Sequence, residues 1–148
     1  MDDNDLYAVE RSCQRLICEY AQLADHGKTA QIADLFTDDG VFVWGEFILS
    51  GRKQLLGAFR VAQDQGGVTS RHVCTNILVR VIDADHAEGV TYLTLFEHRG
   101  PTPRGVAPGG APTLIGEYRD TFANTPTGWR FRRRELHVSF HQNARDPA

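Results

Sequence analysis

Asp25 and His72 are the two residues of this chain whose types combine into a general base. A carboxylate holding one imidazole nitrogen leaves the other free to take a proton. Asp25 lies in Tyr20-Ala-Gln-Leu-Ala-Asp25-His26-Gly27, and His72 in Ser70-Arg71-His72-Val73-Cys74-Thr75-Asn76. On a strand, the two-residue period puts His72, Cys74 and Asn76 on one face, and Val73, Thr75 and Ile77 on the other. If the His72 face is interior, it is partly polar, and a buried polar group needs a partner. Asp25 is the obvious one. Each residue also has an ordinary use, His72 as a satisfied structural histidine and Asp25 as a capping or surface carboxylate.

The elements that must position this pair are legible in the hydropathy pattern. Leu6, Val9, Cys13, Leu16, Ile17, Tyr20, Leu23 and Ala24 recur at helical steps, which predicts a helix over 6–26 stopped by Gly27. A short helix over 29–36 and another over 52–64 follow, the latter ended by Gly66-Gly67. Thr37-Asp38-Asp39-Gly40 reads as a turn before the strand Val41–Trp44. Gly45-Glu46 reads as a tight turn into Phe47-Ile48-Leu49. Segments 70–82, 86–98, 113–123 and 128–141 are rich in β-branched and aromatic residues and read as strands. Between the middle two, residues 99–112 hold four of the six prolines, which excludes helix and inner strand. That segment is either a hairpin tip or a lid. Helices first and long antiparallel strands after imply an α+β fold. A strongly twisted sheet curling around the helices leaves a pocket between its concave face and the long helix.

Composition bounds the function. The chain has 148 residues, 24% charged and 41% apolar, which suits one globular domain over 1–148. The net charge is -3, so nucleic acid is not an expected partner. Arg130-Phe131-Arg132-Arg133-Arg134 is no basic patch, because a strand turns alternate residues apart; a solvated outer face with one inward arginine is expected. No apolar stretch approaches the ~20 residues of a membrane span, and the acidic start Met1-Asp2-Asp3-Asn4-Asp5 is unlike a signal peptide. Cys13, Cys18 and Cys74 show no disulfide spacing and are expected as buried, reduced thiols of a cytoplasmic protein. His137 and His141 would lie about 13 Å apart on a strand, too far for one metal ion. His26, His86 and His98 form no ligand cluster. No metal site and no cofactor are expected.

Several segments together, in order, carry a resemblance. They are Tyr20…Asp25, Leu35-Phe36-Thr37-Asp38-Asp39-Gly40, Gly51-Arg52, His72-x-x-Thr75-Asn76, Gly116-Glu117-Tyr118-Arg119-Asp120 and Gly128-Trp129-Arg130-Phe131. Across nearly its whole length the chain resembles the SnoaL-like branch of the nuclear transport factor 2-like superfamily. The resemblance implies a cone of one curved antiparallel sheet and three helices, in homodimers or homotrimers. It includes polyketide cyclases, scytalone dehydratase, bile acid 7α-dehydratase and hexachlorocyclohexane dehydrochlorinase, several of which use an Asp–His base. Asp25 and His72 stand at the matching positions. Tyr20 matches a catalytic tyrosine of the bile acid dehydratase pattern. The dehydrochlorinase pattern has lysine there, which argues against dehalogenation, although Arg134 matches one of its arginines. Scytalone dehydratase adds a second strand histidine, for which His98 is a candidate.

The expected roles follow. His72 removes a proton next to a carbonyl or anti to a leaving group, and Asp25 fixes its tautomer. Tyr20 donates to a substrate oxygen, and Arg134 or Asn76 steadies developing negative charge. Tyr20 is equally a core residue by its place on the apolar stripe, and Arg134 could instead pair with Glu117 or Asp120. Trp44, Phe59, Tyr92 and Tyr118 are candidate pocket walls for a hydrophobic small-molecule substrate. The reading is a cofactor-independent lyase or isomerase acting on a hydrophobic cyclic ketone or hydroxy compound, foremost a dehydratase. The alternatives are a polyketide cyclase-type enzyme and a non-catalytic small-ligand-binding accessory subunit like that of ring-hydroxylating dioxygenases.

Overall fold

The computed structural model describes residues 1–144. The chain opens with helix α1 (Asp3–Asp25) and a 3-10 helix (Thr29–Leu35). Strands β1 (Phe36–Trp44) and β2 (Phe47–Ser50), helix α2 (Arg52–Gln65), and strands β3 (Val68–Val81), β4 (His86–Arg99), β5 (Leu114–Thr125) and β6 (Gly128–His141) follow.

Both ends of α1 are locally encoded. Asp2 accepts from the Asp5 backbone N–H while the Asp5 side chain accepts from the Asp2 N–H, a reciprocal capping box. At the other end Gly27 takes a positive φ of 71°, and the Lys28 N–H reaches back to the Leu23 carbonyl at 2.9 Å. This is the Schellman closure that a left-handed glycine permits. It stops the helix directly after Asp25. The apolar stripe (Val9, Cys13, Leu16, Ile17, Tyr20) is buried against Phe131, Phe122 and Leu93.

The six strands form one open, mixed sheet in the order β2-β1-β6-β5-β4-β3. With the helices it makes the cone-shaped α+β fold. One pairing differs from the all-antiparallel expectation: β1 runs parallel to β6. The intervening α2, β3, β4 and β5 provide the long crossover that a parallel pair requires. The expected turn at Thr37–Gly40 is an irregularity inside β1. Phe36 pairs with Phe131 and Val41 with Arg133, so the four residues between them span one partner residue. A Cβ on Gly40 would meet the Phe36 Cβ at 2.9 Å, which explains the glycine. Gly45-Glu46 is the tight hairpin turn joining β1 to β2, with Trp44 opposite Phe47.

Two further bulges decide which side chains face the helices. In β3, Thr75 pairs with Tyr92 and Leu78 with Val90, so one residue is extra. Asn76, at φ 50°, absorbs it, a conformation asparagine tolerates better than most residues. Before the bulge Ser70, His72 and Cys74 face inward; after it Ile77 and Val79 do. In β6 the register slips between Phe131 and Arg133, so Phe131, Arg134 and Leu136 share the buried face. Arg134 is therefore the single inward arginine of its run.

Candidate active site

Asp25 is the last residue of α1, and β3 is an edge strand of the sheet. The helix end lies along that edge, so one carboxylate serves three donors. Asp25 Oδ1 is 2.6 Å from His72 Nδ1 and accepts from Ser70 Oγ at 2.9 Å. Oδ2 accepts the His72 backbone N–H at 2.9 Å. The edge strand's free donor is thereby used, and the ring is fixed by side chain and backbone together.

The Asp25 side chain is 6% exposed and that of His72 15%. Burial alone would raise the Asp25 carboxyl, but the hydrogen bonds and charge of His72 and the Ser70 hydroxyl outweigh it and hold the group below its ordinary 3.8. Asp25 is thus a carboxylate acceptor. The neutral ring then carries its proton on Nδ1, which leaves the Nε2 lone pair as a base.

His72 lines a cavity with two lobes. One, of about 270 Å³, lies between the end of α1, α2 and β3, and includes Ala24, Thr29, Phe59 and Gly66. The other, of about 220 Å³, lies against the sheet, and includes Phe42, Trp44, Leu95, Tyr118 and Leu136. Four residues line both: Tyr20, His72, Glu97 and Arg99. The base therefore stands at the waist. Burial pushes the Tyr20 phenol up to about 12 against the pull of Arg134, so Tyr20 stays protonated and keeps an O–H to donate. Tyr118 is likewise driven well above 10 by burial.

The other candidates divide. Trp44, Phe59 and Tyr118 line the lobes. Asn76 does not, because it occupies the bulge and is exposed. Tyr92 points to the convex face of the sheet and is 52% exposed; its inward neighbours are Thr91 and Leu93. Arg134 lines neither lobe. It is fully buried, with Nε 3.0 Å and Nη2 3.2 Å from the two oxygens of Asp120, its partner across the strands. Its guanidinium lies 3.6 Å from the Tyr118 ring centroid and 4.3 Å from that of Tyr20. Burial raises the Asp120 carboxyl while Arg134 opposes it, and Asp120 keeps the guanidinium above its ordinary value despite burial. Arg134 thus packs against the two tyrosines from behind, and its buried Nη1 has no hydrogen-bond partner among the described residues.

His98 also faces away from the waist. It pairs with Thr69 on the outer side and lines a groove of about 570 Å³ under residues 105–111, its Nε2 buried without a partner. The inward residue beside it is Glu97. Strand parity was the signal for this, available once Leu93 and Leu95 are placed inward. Residues 100–112 line neither lobe. The cysteines separate as well: Cys13 is buried, Cys74 half-buried and Cys18 exposed, the last against expectation because position 18 falls off the apolar stripe of α1. Burial raises the Cys13 thiol to about 12 and that of Cys74 to about 11, so neither is a ready nucleophile.

Residues 7–135 match the SnoaL-like domain. The chain belongs to that family. No curated protein matches it in sequence. Among solved structures it is similar to a provisionally named scytalone dehydratase from Novosphingobium aromaticivorans (20% identity, 99% of this chain and 95% of that one, TM-score 0.81). A protein of unknown function from Mycobacterium tuberculosis shares 25% identity over 86% of this chain and 74% of that one, at a TM-score of 0.72. The hexachlorocyclohexane dehydrochlorinase LinA-type3 from Novosphingobium barchaimii shares 15% identity over 95% and 93%, at 0.74. No helix among the described residues is long and apolar enough to cross a membrane.

Proposed function

We propose that this SnoaL-like chain is a cofactor-independent lyase or isomerase in which His72, held by Asp25, is the general base. The observation that carries the reading is the double hold of Asp25 on His72, a 2.6 Å ring contact and a backbone bond to the same carboxylate, with the ring at the waist of a cavity. A purely structural histidine would have no need to line both lobes.

Dehydration of a β-hydroxy cyclic ketone fits the groups present. His72 Nε2 removes the proton next to the carbonyl, and Asp25 stabilises the imidazolium. The protonated phenol of Tyr20 donates to the developing enolate oxygen. The electron pair then expels the β-hydroxyl, which takes the imidazolium proton and leaves as water. The product is the conjugated enone, and His72 returns to its starting state. Without a leaving group the same enolate is reprotonated elsewhere, which is isomerisation. The Phe42, Trp44, Leu95 and Leu136 wall suits a flat hydrophobic ring.

The test is elimination from a panel of β-hydroxy cyclic ketones, followed by enone absorbance. The parent protein accelerates it, and His72→Ala removes the acceleration. Equal rates in both proteins would sink the assignment.

A further inference from the structure

Among the described residues Glu97 is the one carboxylate that lines both lobes, and the base mechanism leaves it unused. It follows Leu93 and Leu95 on the inward face of β4, with Arg99 next in the same row. Leu95 pairs directly with His72, so Glu97 stands diagonally across from the base. Such diagonal neighbours are about 7–8 Å apart, which leaves space for a substrate group between them.

Glu97 is held rather than free. Its Oε1 accepts from Arg99 Nε at 2.9 Å, and its backbone N–H donates to Thr113 Oγ1 at 3.1 Å. Its side chain is 24% exposed, against 70% for Arg99. Arg99 also lines both lobes but is the more exposed of the two, and the Glu97 carboxylate is the more buried. Only Oε1 is bound by Arg99, so Oε2 keeps its acceptor capacity. A fixed acceptor in a partly dry cavity rewards a hydroxyl donor and repels an anion.

We propose that Glu97 is a specificity-determining residue that accepts a hydrogen bond from a hydroxyl group of the ligand and excludes carboxylate-bearing ones. The ligand class is a hydroxylated, uncharged ring compound. This deepens the reading above, since it rests on the Asp25–His72 cavity being the substrate site.

The test is calorimetric binding of three probes with one ring system: naphthol, its methyl ether and naphthoate. The parent should bind naphthol about tenfold tighter than the ether, the order expected of one hydrogen bond to a charged group, and naphthoate weakest. Glu97→Leu should abolish the naphthol preference. Glu97→Gln, which keeps an acceptor and the side-chain shape, should retain part of it and admit naphthoate. Arg99→Leu should keep the preference, because the acceptor remains. An unchanged preference in Glu97→Leu would overturn the proposal, as would tightest binding of naphthoate or no discrimination in the parent. Binding is read without turnover, so loss of the base assignment and loss of this one are separate outcomes.

Discussion

The carboxylate of Asp25 bonds both the ring and the backbone of His72, at 2.6 and 2.9 Å. One residue at a helix end thus fixes the position of an edge strand and the orientation of the imidazole on it. Asp25 sits at the negative end of the α1 dipole, an unfavourable place for a carboxylate. Three donors offset that cost.

The first prediction concerns the tautomer. Nitrogen NMR of His72 should show the neutral ring protonated on Nδ1 in the parent. In Asp25→Asn the amide can present its own N–H to Nδ1, and the proton should move to Nε2. A parent ring already protonated on Nε2 would contradict the arrangement.

Stability should depend on acid through Asp25. Its carboxyl is held below 3.8 in the folded state, so its contribution is complete above that value and is lost as the pH falls through the lower folded one. Urea unfolding of the parent and Asp25→Asn should therefore show the full gap from about pH 5 upward and converge in stronger acid. A gap that stays constant with pH would contradict this.

Arg134 and Asp120 should behave as a buried pair. Removing one partner, as in Arg134→Met, should cost about 3–5 kcal/mol because a buried charge is left alone. The double variant Arg134→Met with Asp120→Leu should recover much of that loss. Denaturant midpoints of the parent, Arg134→Met, Asp120→Leu and the double variant check this, and strict additivity would count against the pair.

Gly116 should not tolerate a side chain. A Cβ there would lie 2.3 Å from the His137 carbonyl oxygen, where the β5–β6 register slips. Gly116→Ala should lower stability by about 1–3 kcal/mol as the strands are forced apart. Gly57→Ala, with nothing within 4 Å of its Cβ and a helical setting, is the control and should be neutral or stabilising.

Much of this molecule was legible from periodicity. The α1 stripe, its stop at Gly27, the hairpin at Gly45-Glu46 and the four long strands all arise from local rules, and local rules are written in local sequence. The long-range partner of His72 was legible because a strand histidine on a polar face demanded one and because the family resemblance put Asp25 at the matching position. Strand faces beyond a bulge were not. Asn76 was placed beside His72 by strict alternation, yet it is itself the residue that breaks the alternation. The parallel β1–β6 pairing and the Thr37–Gly40 irregularity depend on contacts between chain ends, which no window of neighbouring residues contains. Glu97, rather than His98, follows from strand parity once Leu93 and Leu95 are placed inward.

The most direct test of the central claim is exchange of the α-protons of a cyclic ketone in deuterium oxide, followed by proton NMR. A base held by Asp25 should make the parent exchange these protons faster than solvent alone. His72→Ala should lose that catalysis, and Asp25→Asn should lose a large part of the ~10²–10⁴-fold that a positioned base contributes. Exchange that is undiminished in either variant would show that the Asp25–His72 pair is not the base.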